Sequence, residues 1–214
     1  MMSELFVKEW TLAAPSVDVM FVFLGALVLV PAYPYGMVFF FGMLAAFFSC
    51  QFARENADIF YTMLLPVGKR DVVKGKLMLI VSIELAQLAL TIPFAIVRTE
   101  LLPNGNPVGI EANVAYFGCG LVIYAVFNLI FLSVFFRDAV SVGRAFIFAV
   151  VPATLLILCM EAAVHLPALA WLDGLSLSDQ LRQLPILVIG VAFYVASTAL
   201  TYRIAARNFS RVDL

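Results

Sequence analysis

The chain has 214 residues, of which 64% are hydrophobic and only 13% charged, with 20 phenylalanines and a mean hydropathy of +1.05. A globular chain of this size has too little interior to hide so much apolar surface, so the solvent for most of it is a bilayer. A formal net charge of −1 excludes a nucleic-acid binder held by bulk charge, and Cys50, Cys119 and Cys159 sit singly in apolar runs without metal-ligand spacing.

The first residues, "MMSELFVKEW", carry mixed charge and no apolar run, so no cleavable signal peptide is expected and the first spanning helix must direct insertion. Residues 3–14 are too polar to span. On a helix, Phe6, Trp10 and Ala13 share one face while Glu4 and Lys8 share another, which fits a short interfacial helix ending at Pro15.

Six apolar segments follow, each near the length of about 20 residues that a crossing needs: 17–33, 36–53, 77–97, 112–135, 144–165 and 184–203. Asp18 opens the first segment, and Pro31 and Pro34 interrupt its end. "PAYPYG" then reads as a tight turn with tyrosines at the membrane surface. The expected fold is an all-α integral membrane protein, one transmembrane domain over 1–214, with six transmembrane helices, an N-terminal interfacial helix and short cytoplasmic coupling helices.

Lys and Arg set the orientation. With six crossings, eleven of the 13 basic residues (at 8, 54, 69, 70, 74, 76, 137, 144, 203, 207 and 211) fall on one side, and only Arg98 and Arg182 fall on the other. Cytoplasmic loops carry such an excess, so both termini, 54–76 and 136–143 are expected in the cytoplasm of a prokaryotic cell.

Between the second and third segments lies "RENADIFYTMLLPVGKRDVVKGK", residues 54–76, with eight ionisable side chains. Ile59, Phe60, Met63, Leu64 and Val67 recur at helical spacing, and Arg54, Glu55 and Asp58 occupy the expected first turn. Leu65 precedes Pro66, which ends that helix. Gly68 follows, and Lys69-Arg70-Asp71 opens a second helix that runs through Lys74 and Lys76 into the third span. The expectation is a rigid protrusion built to dock something. The alternative is a plain positive-inside anchor, for which Lys69 to Lys76 would suffice, although that leaves the amphipathic half before Pro66 without a purpose.

The acid after the second span, the amphipathic helix, "LPVGKRDVVKGK" and the third span resemble the small six-span permeases of the ABC-2 transporter family; "LFVKEW" resembles that family's interfacial connecting helix. The resemblance implies a half-transporter. Two such subunits, alike or different, would pair, and a separate cytoplasmic ATP-binding subunit would dock on coupling helices after spans two and four. By position, the first coupling element is Glu55 to Leu65. Phe60 and Leu64, with Ile59 and Met63, would anchor in a groove of the ATPase, and Glu55 and Asp58 would meet basic groups there. The second element falls near Phe136 to Gly143, with Arg137 and Asp138. Unlike larger members, the chain has only about 18 residues between spans five and six.

No catalytic residue and no bound cofactor is expected. "LPVGKRD" lacks the earlier glycine and the following Ser/Thr of a phosphate loop, so ATP would be bound by the partner. Glu84, Gln87 and Thr91 share one face of the third span, where they would line a translocation path or bond a neighbouring helix. Gly120, Tyr124 and Asn128 form a small and polar stripe on the fourth. Glu161 and His165 are one turn apart near the end of the fifth, and two ligands on one helix do not make a closed metal site. The preferred function is export of an amphiphile such as a peptide, antibiotic or lipid. The alternatives are a membrane-embedded lipid-modifying enzyme using Glu84 or the Glu161/His165 pair, and an ion-coupled secondary transporter.

Overall fold

The computed structural model describes residues 6–13, 16–101, 105–138 and 141–212. Every regular element among them is helical: α1 over residues 6–13, whose last turn Glu9–Ala13 is π-helical; α2 Ser16–Phe23; α3 Met37–Glu55; α4 Asp58–Met63; α5 Lys69–Leu101; α6 Val114–Asp138; α7 Val142–Ala163; and α8 Leu177–Ser210. Helix is what a bilayer permits, because it satisfies each backbone polar group within its own segment.

Five helices are long and apolar enough to cross a membrane: α3, α5, α6, α7 and α8. The first expected segment, 17–33, is shorter than its hydropathy implies. Eight residues of α2 are followed by six of tighter 3-10 helix, Leu24–Leu29. Val30 is extended, and Ala32 takes a left-handed φ of 55° at the turn ahead of α3. Prolines at 31 and 34 explain why no α-helix continues there.

The long helices overrun their apolar cores. α5 has 33 residues and rises about 50 Å, against a hydrocarbon thickness of about 30 Å. α8 has 34 residues and starts at Leu177, ahead of the expected 184, because Ser176 caps it by accepting from the Asp179 N–H at 3.2 Å. Pro185 lies inside this helix, so proline did not mark its boundary.

α6 sits at the centre of the bundle and packs most extensively against α8, then α7. Its phenylalanines supply much of the core: Phe127, Phe131 and Phe135 are buried, with stacked rings 5.1 and 6.2 Å apart. Close approach to α8 depends on two glycines. A Cβ on Gly190 would lie 2.4 Å from the Gly118 carbonyl oxygen, and one on Gly118 would lie 2.8 Å from the backbone of Ile186. Small residues let membrane helices meet backbone to backbone. Gly120, from the expected stripe, instead accepts the ring of Phe39 on α3.

Gly190→Ala should therefore destabilise the fold by about 1–3 kcal/mol, the usual range for overpacking. Gly143→Ala, a site with open space around it, is the control. A lower melting temperature in detergent is expected for the first variant only. Equal melting temperatures would contradict the close crossing.

Candidate coupling site

At one end of the bundle the chain leaves α3, forms α4 and turns into α5. α3 continues through Arg54 and Glu55, so these residues close the spanning helix and do not open the next one. The break falls at Ala57, which holds a left-handed φ of 50°. No glycine or asparagine at that position announces it. Asp58 then starts a helix of six residues. Leu64 to Gly68 make the elbow expected at Pro66, and the Asp71 carboxylate accepts from the Gly68 N–H at 3.3 Å, which caps α5.

α4 has an inner and an outer face. Ile59 is 7% exposed and joins the main core, with Met63 packed partly against it. Asp58 and Thr62 are tied down from α1. Lys8 Nζ pairs with Asp58 Oδ1 at 2.8 Å and donates to Thr62 Oγ1 at 2.6 Å. Outward stand Phe60, Tyr61, Leu64 and Leu65, 52 to 70% exposed. The expected anchor set of Ile59, Phe60, Met63 and Leu64 is thus divided. Two of its members hold the helix to the bundle and two face away, joined by Tyr61 and Leu65.

Beneath α4 lies a group of buried charges. Lys76 and Glu9 form an ion pair, their side chains 1% and 3% exposed, and Lys8 Nζ reaches Glu9 Oε1 at 3.2 Å. Asp18, also buried, accepts from Ser49 Oγ at 2.6 Å. Lys76 belonged to the stretch whose alternative reading was a positive-inside anchor, and Lys8 to the polar face of the interfacial helix. Both instead point inward, while Trp10 packs on the cluster formed by Phe21, Ala45, Ala53, Leu79 and Ile83. Glu4 lies outside the described residues.

Both ends of the described chain gather here. Lys69 Nζ donates to the Val212 carbonyl at 2.6 Å, on the same elbow that follows the Lys8–Asp58 contact. The turn from α6 to α7 is very short. Arg144 pairs with Asp138 across it, Arg137 is exposed, and Phe136 is buried with its ring 5.3 Å from Phe209. Residues 139 and 140 lie outside the described residues, and the others in 136–143 belong to the ends of α6 and α7 or to Ser141 between them.

The family model described as ABC-2 family transporter protein matches residues 4–209. The chain belongs to the ABC-2 transporter family. That makes it an ABC transporter permease, a membrane subunit of a kind that normally works with an ATP-binding subunit. No curated protein and no solved structure matches this permease.

In mid-bundle the permease holds Glu84, Gln87 and Thr91 in two neighbouring hydrogen-bonded sets, one around Glu84 and one around Gln87 and Thr91. Glu84 Oε2 accepts from Tyr194 Oη at 2.6 Å and from Asn128 Nδ2 at 2.9 Å. Gln87 Oε1 accepts from Tyr124 Oη, and its Nε2 donates to the carbonyls of Phe21 and Val38 at 2.9 and 3.1 Å. Thr91 Oγ1 donates to the Gln87 carbonyl at 2.8 Å. All three are fully buried. Gly42 and Gly25 leave them room, since a Cβ at either position would meet Tyr124 Oη or Thr91 Oγ1. Together the two sets join α5 to α2, α3, α6 and α8, and Tyr194 supplies Glu84 with a partner that no spacing could reveal.

At the far end, Arg98 is 1% exposed. It donates to Tyr35 Oη at 2.6 Å and pairs with Glu111 at 3.0 Å. Asp173 accepts from the Glu111 N–H at 2.7 Å. Burial pushes the Glu111 and Asp173 carboxyls above their ordinary range, and the Arg98 guanidinium pulls both back in part. Glu161 accepts from the Gly36 and Ile110 N–H groups at 2.5 and 3.0 Å, while the His165 ring contacts the Val108 carbonyl at 3.0 Å. Glu161 and His165 thus both hold the loop ahead of α6, at Ile110 and Val108, and Glu161 also holds the turn at Gly36. No group of three or more metal-ligating side chains occurs among the described residues.

Proposed function

We propose that this permease is the membrane half of an ATP-driven exporter of an amphiphilic substrate, a peptide, an antibiotic or a lipid. ATP is bound and hydrolysed by a separate cytoplasmic subunit, and the permease holds no cofactor of its own. A second permease subunit, a copy or a related chain, completes the transporter. The observation that carries the reading is the outer face of α4 and its elbow: four large apolar side chains, Phe60, Tyr61, Leu64 and Leu65, left exposed on a segment that is pinned from behind by Lys8, Ile59 and Met63. A monomer gains nothing from exposing such a tip, and exposed apolar groups in a polar setting mark interaction sites. Glu55 stands exposed beside it, and Arg137 and Asp138 border a second, smaller contact.

The same arrangement supports a topology with six crossings and cytoplasmic termini. Ser16–Leu29 runs from the α4 end, where Asp18 meets Ser49, to the far end, where the Tyr33 carbonyl accepts from Asn106 at 3.0 Å. Its 3-10 tail lengthens the rise to about 24 Å, enough for a sixth crossing with modest thinning of the bilayer. α1 lies along the membrane surface. Eleven basic residues at the α4 end make that end cytoplasmic. Glu84, Gln87 and Thr91 join a path only when α5 parts from α6 and α8.

Two measurements test the reading. Purification from the native host should yield a complex with an ATPase subunit, and transport by this chain alone would refute it. With Cys50, Cys119 and Cys159 replaced, Ser178→Cys should react with an impermeant thiol reagent on intact cells, and Ser210→Cys only after permeabilisation. The reverse pattern would invert the topology, and equal labelling on intact cells would mean that α8 does not cross.

A further inference from the structure

The bundle does not close along the line where α5 and α8 face each other towards the α4 end. A cavity of about 530 Å³ opens there, within the range that holds a small organic ligand. Small residues create it. Ser82 on α5 and Ala199 on α8 both line the cavity, where longer side chains would fill it. From Lys74 to Leu85 the lining follows α5 for about 16 Å, roughly half the thickness of the hydrocarbon core. The groove is therefore about one leaflet deep.

Its two ends differ in chemistry. Towards mid-membrane it is walled by Val81, Leu85 and Val195, with Met78 along the side. At the surface end stands Lys74, exposed and without an ion pair among the described residues, with Tyr202 and Phe6 also lining the groove. Among the described residues no acidic side chain lines the groove. Lys69 and Lys76 on the same helix are engaged with the Val212 carbonyl and with Glu9, and Arg70 is not among the lining residues, so Lys74 is the cation of this stretch that faces the groove.

We propose that the groove holds one phospholipid of the leaflet on the α4 side, with an acidic headgroup on Lys74 and an acyl chain laid along Met78, Leu85 and Val195. An ammonium at the surface with an apolar channel below it matches the two parts of such a lipid, and basic sites between helices at this depth take anionic headgroups. A second protein copy would need to bring its own anion to Lys74 and a ridge narrow enough for the channel, which a single acyl chain supplies at once. That the leaflet is the cytoplasmic one rests on the topology proposed above; the binding itself does not.

The test is native mass spectrometry of the purified permease, together with any subunit that co-purifies, exposed to equimolar phosphatidylglycerol and phosphatidylcholine of identical chains. The expected result is retention of one phosphatidylglycerol with about fivefold preference. Lys74→Gln should abolish the preference while leaving some lipid bound, and Lys74→Arg should keep it. Ala199→Phe and Met78→Trp, which fill the groove from opposite helices, should each lose both lipids while keeping the wild-type melting temperature; the two guard against misfolding of either one. Equal retention of the two lipids by wild type would overturn the proposal. So would an unchanged preference in Lys74→Gln, or a groove-filling variant that folds and still retains lipid. If filling the groove alters oligomeric state with no lipid released, the face is a subunit contact and the proposal fails. Co-purification of the ATPase is read separately, so failure here leaves the coupling assignment standing.

Discussion

Replacing Phe60 and Leu64 together by alanine is expected to release the ATPase subunit from the permease while leaving the membrane bundle intact. Phe60 is 52% and Leu64 70% exposed, so neither supports the fold that surrounds it. Anchors of this kind contribute about 1–3 kcal/mol each when buried in a partner's groove. Two of them amount to a loss of affinity of about 25-fold to about 20,000-fold, since each 1.4 kcal/mol is about a factor of ten. Ile59→Ala gives the contrast. Ile59 faces inward, so its truncation should lower the melting temperature and affect docking only through loss of α4. Glu55→Ala, at the rim, should change association modestly. Co-purification and substrate-stimulated ATP hydrolysis at wild-type levels in the Phe60/Leu64 double variant would remove α4 from the coupling site.

The second large effect concerns the charges behind α4. Glu9→Gln strands Lys76, whose side chain is 1% exposed and whose counter-charge is Glu9. Removing one partner of a buried pair costs about 3–5 kcal/mol, because the remaining charge is neither solvated nor matched. Lys76→Met should be milder, since Glu9 keeps Lys8 at 3.2 Å. The combination Glu9→Gln with Lys76→Met leaves no unmatched charge in the pair, and Lys8 still has Asp58 at 2.8 Å. The expected order of stability is wild type close to the double variant, then Lys76→Met, then Glu9→Gln. Melting temperatures of the detergent-solubilised protein check that order. Additive losses in the double variant would show that the pair does not act as a unit.

The elbow at Pro66 and Gly68 was legible because proline fixes its own φ and turns Leu65 away from the helical region, and glycine frees the backbone to turn, effects that no tertiary contact is needed to predict. So was the polar face of Glu84, Gln87 and Thr91, because ionisable and amide groups in an apolar run are rare enough to stand out. The inward turn of Ile59 was not. On a helix of six residues the apolar positions cover most of the circumference, and only the Lys8 contact decides which side is inside. Lys76 illustrates the same limit with opposite chemistry. A lysine near a membrane surface reads as a cationic anchor, and nothing in its neighbourhood points to a carboxylate donated by the first helix. The Gly118 to Gly190 crossing was missed because each glycine means little alone; its meaning lies in the pairing of two helices far apart in the chain.

The ties between α1 and its partners also impose a schedule on synthesis. Lys8 must wait for Thr62, which follows it by 54 residues, and Glu9 must wait longer for Lys76. At about 5–20 residues per second, Glu9 is without Lys76, 67 residues further on, for roughly 3–13 s after it leaves the ribosome. Asp18 waits as well, for a serine 31 residues downstream. A short segment that opens with an unsatisfied acid is a poor candidate for early, solitary insertion. The nascent chain should therefore commit α2 to the bilayer only together with α3, as a hairpin, and seat α1 last, when the start of α5 arrives to receive it.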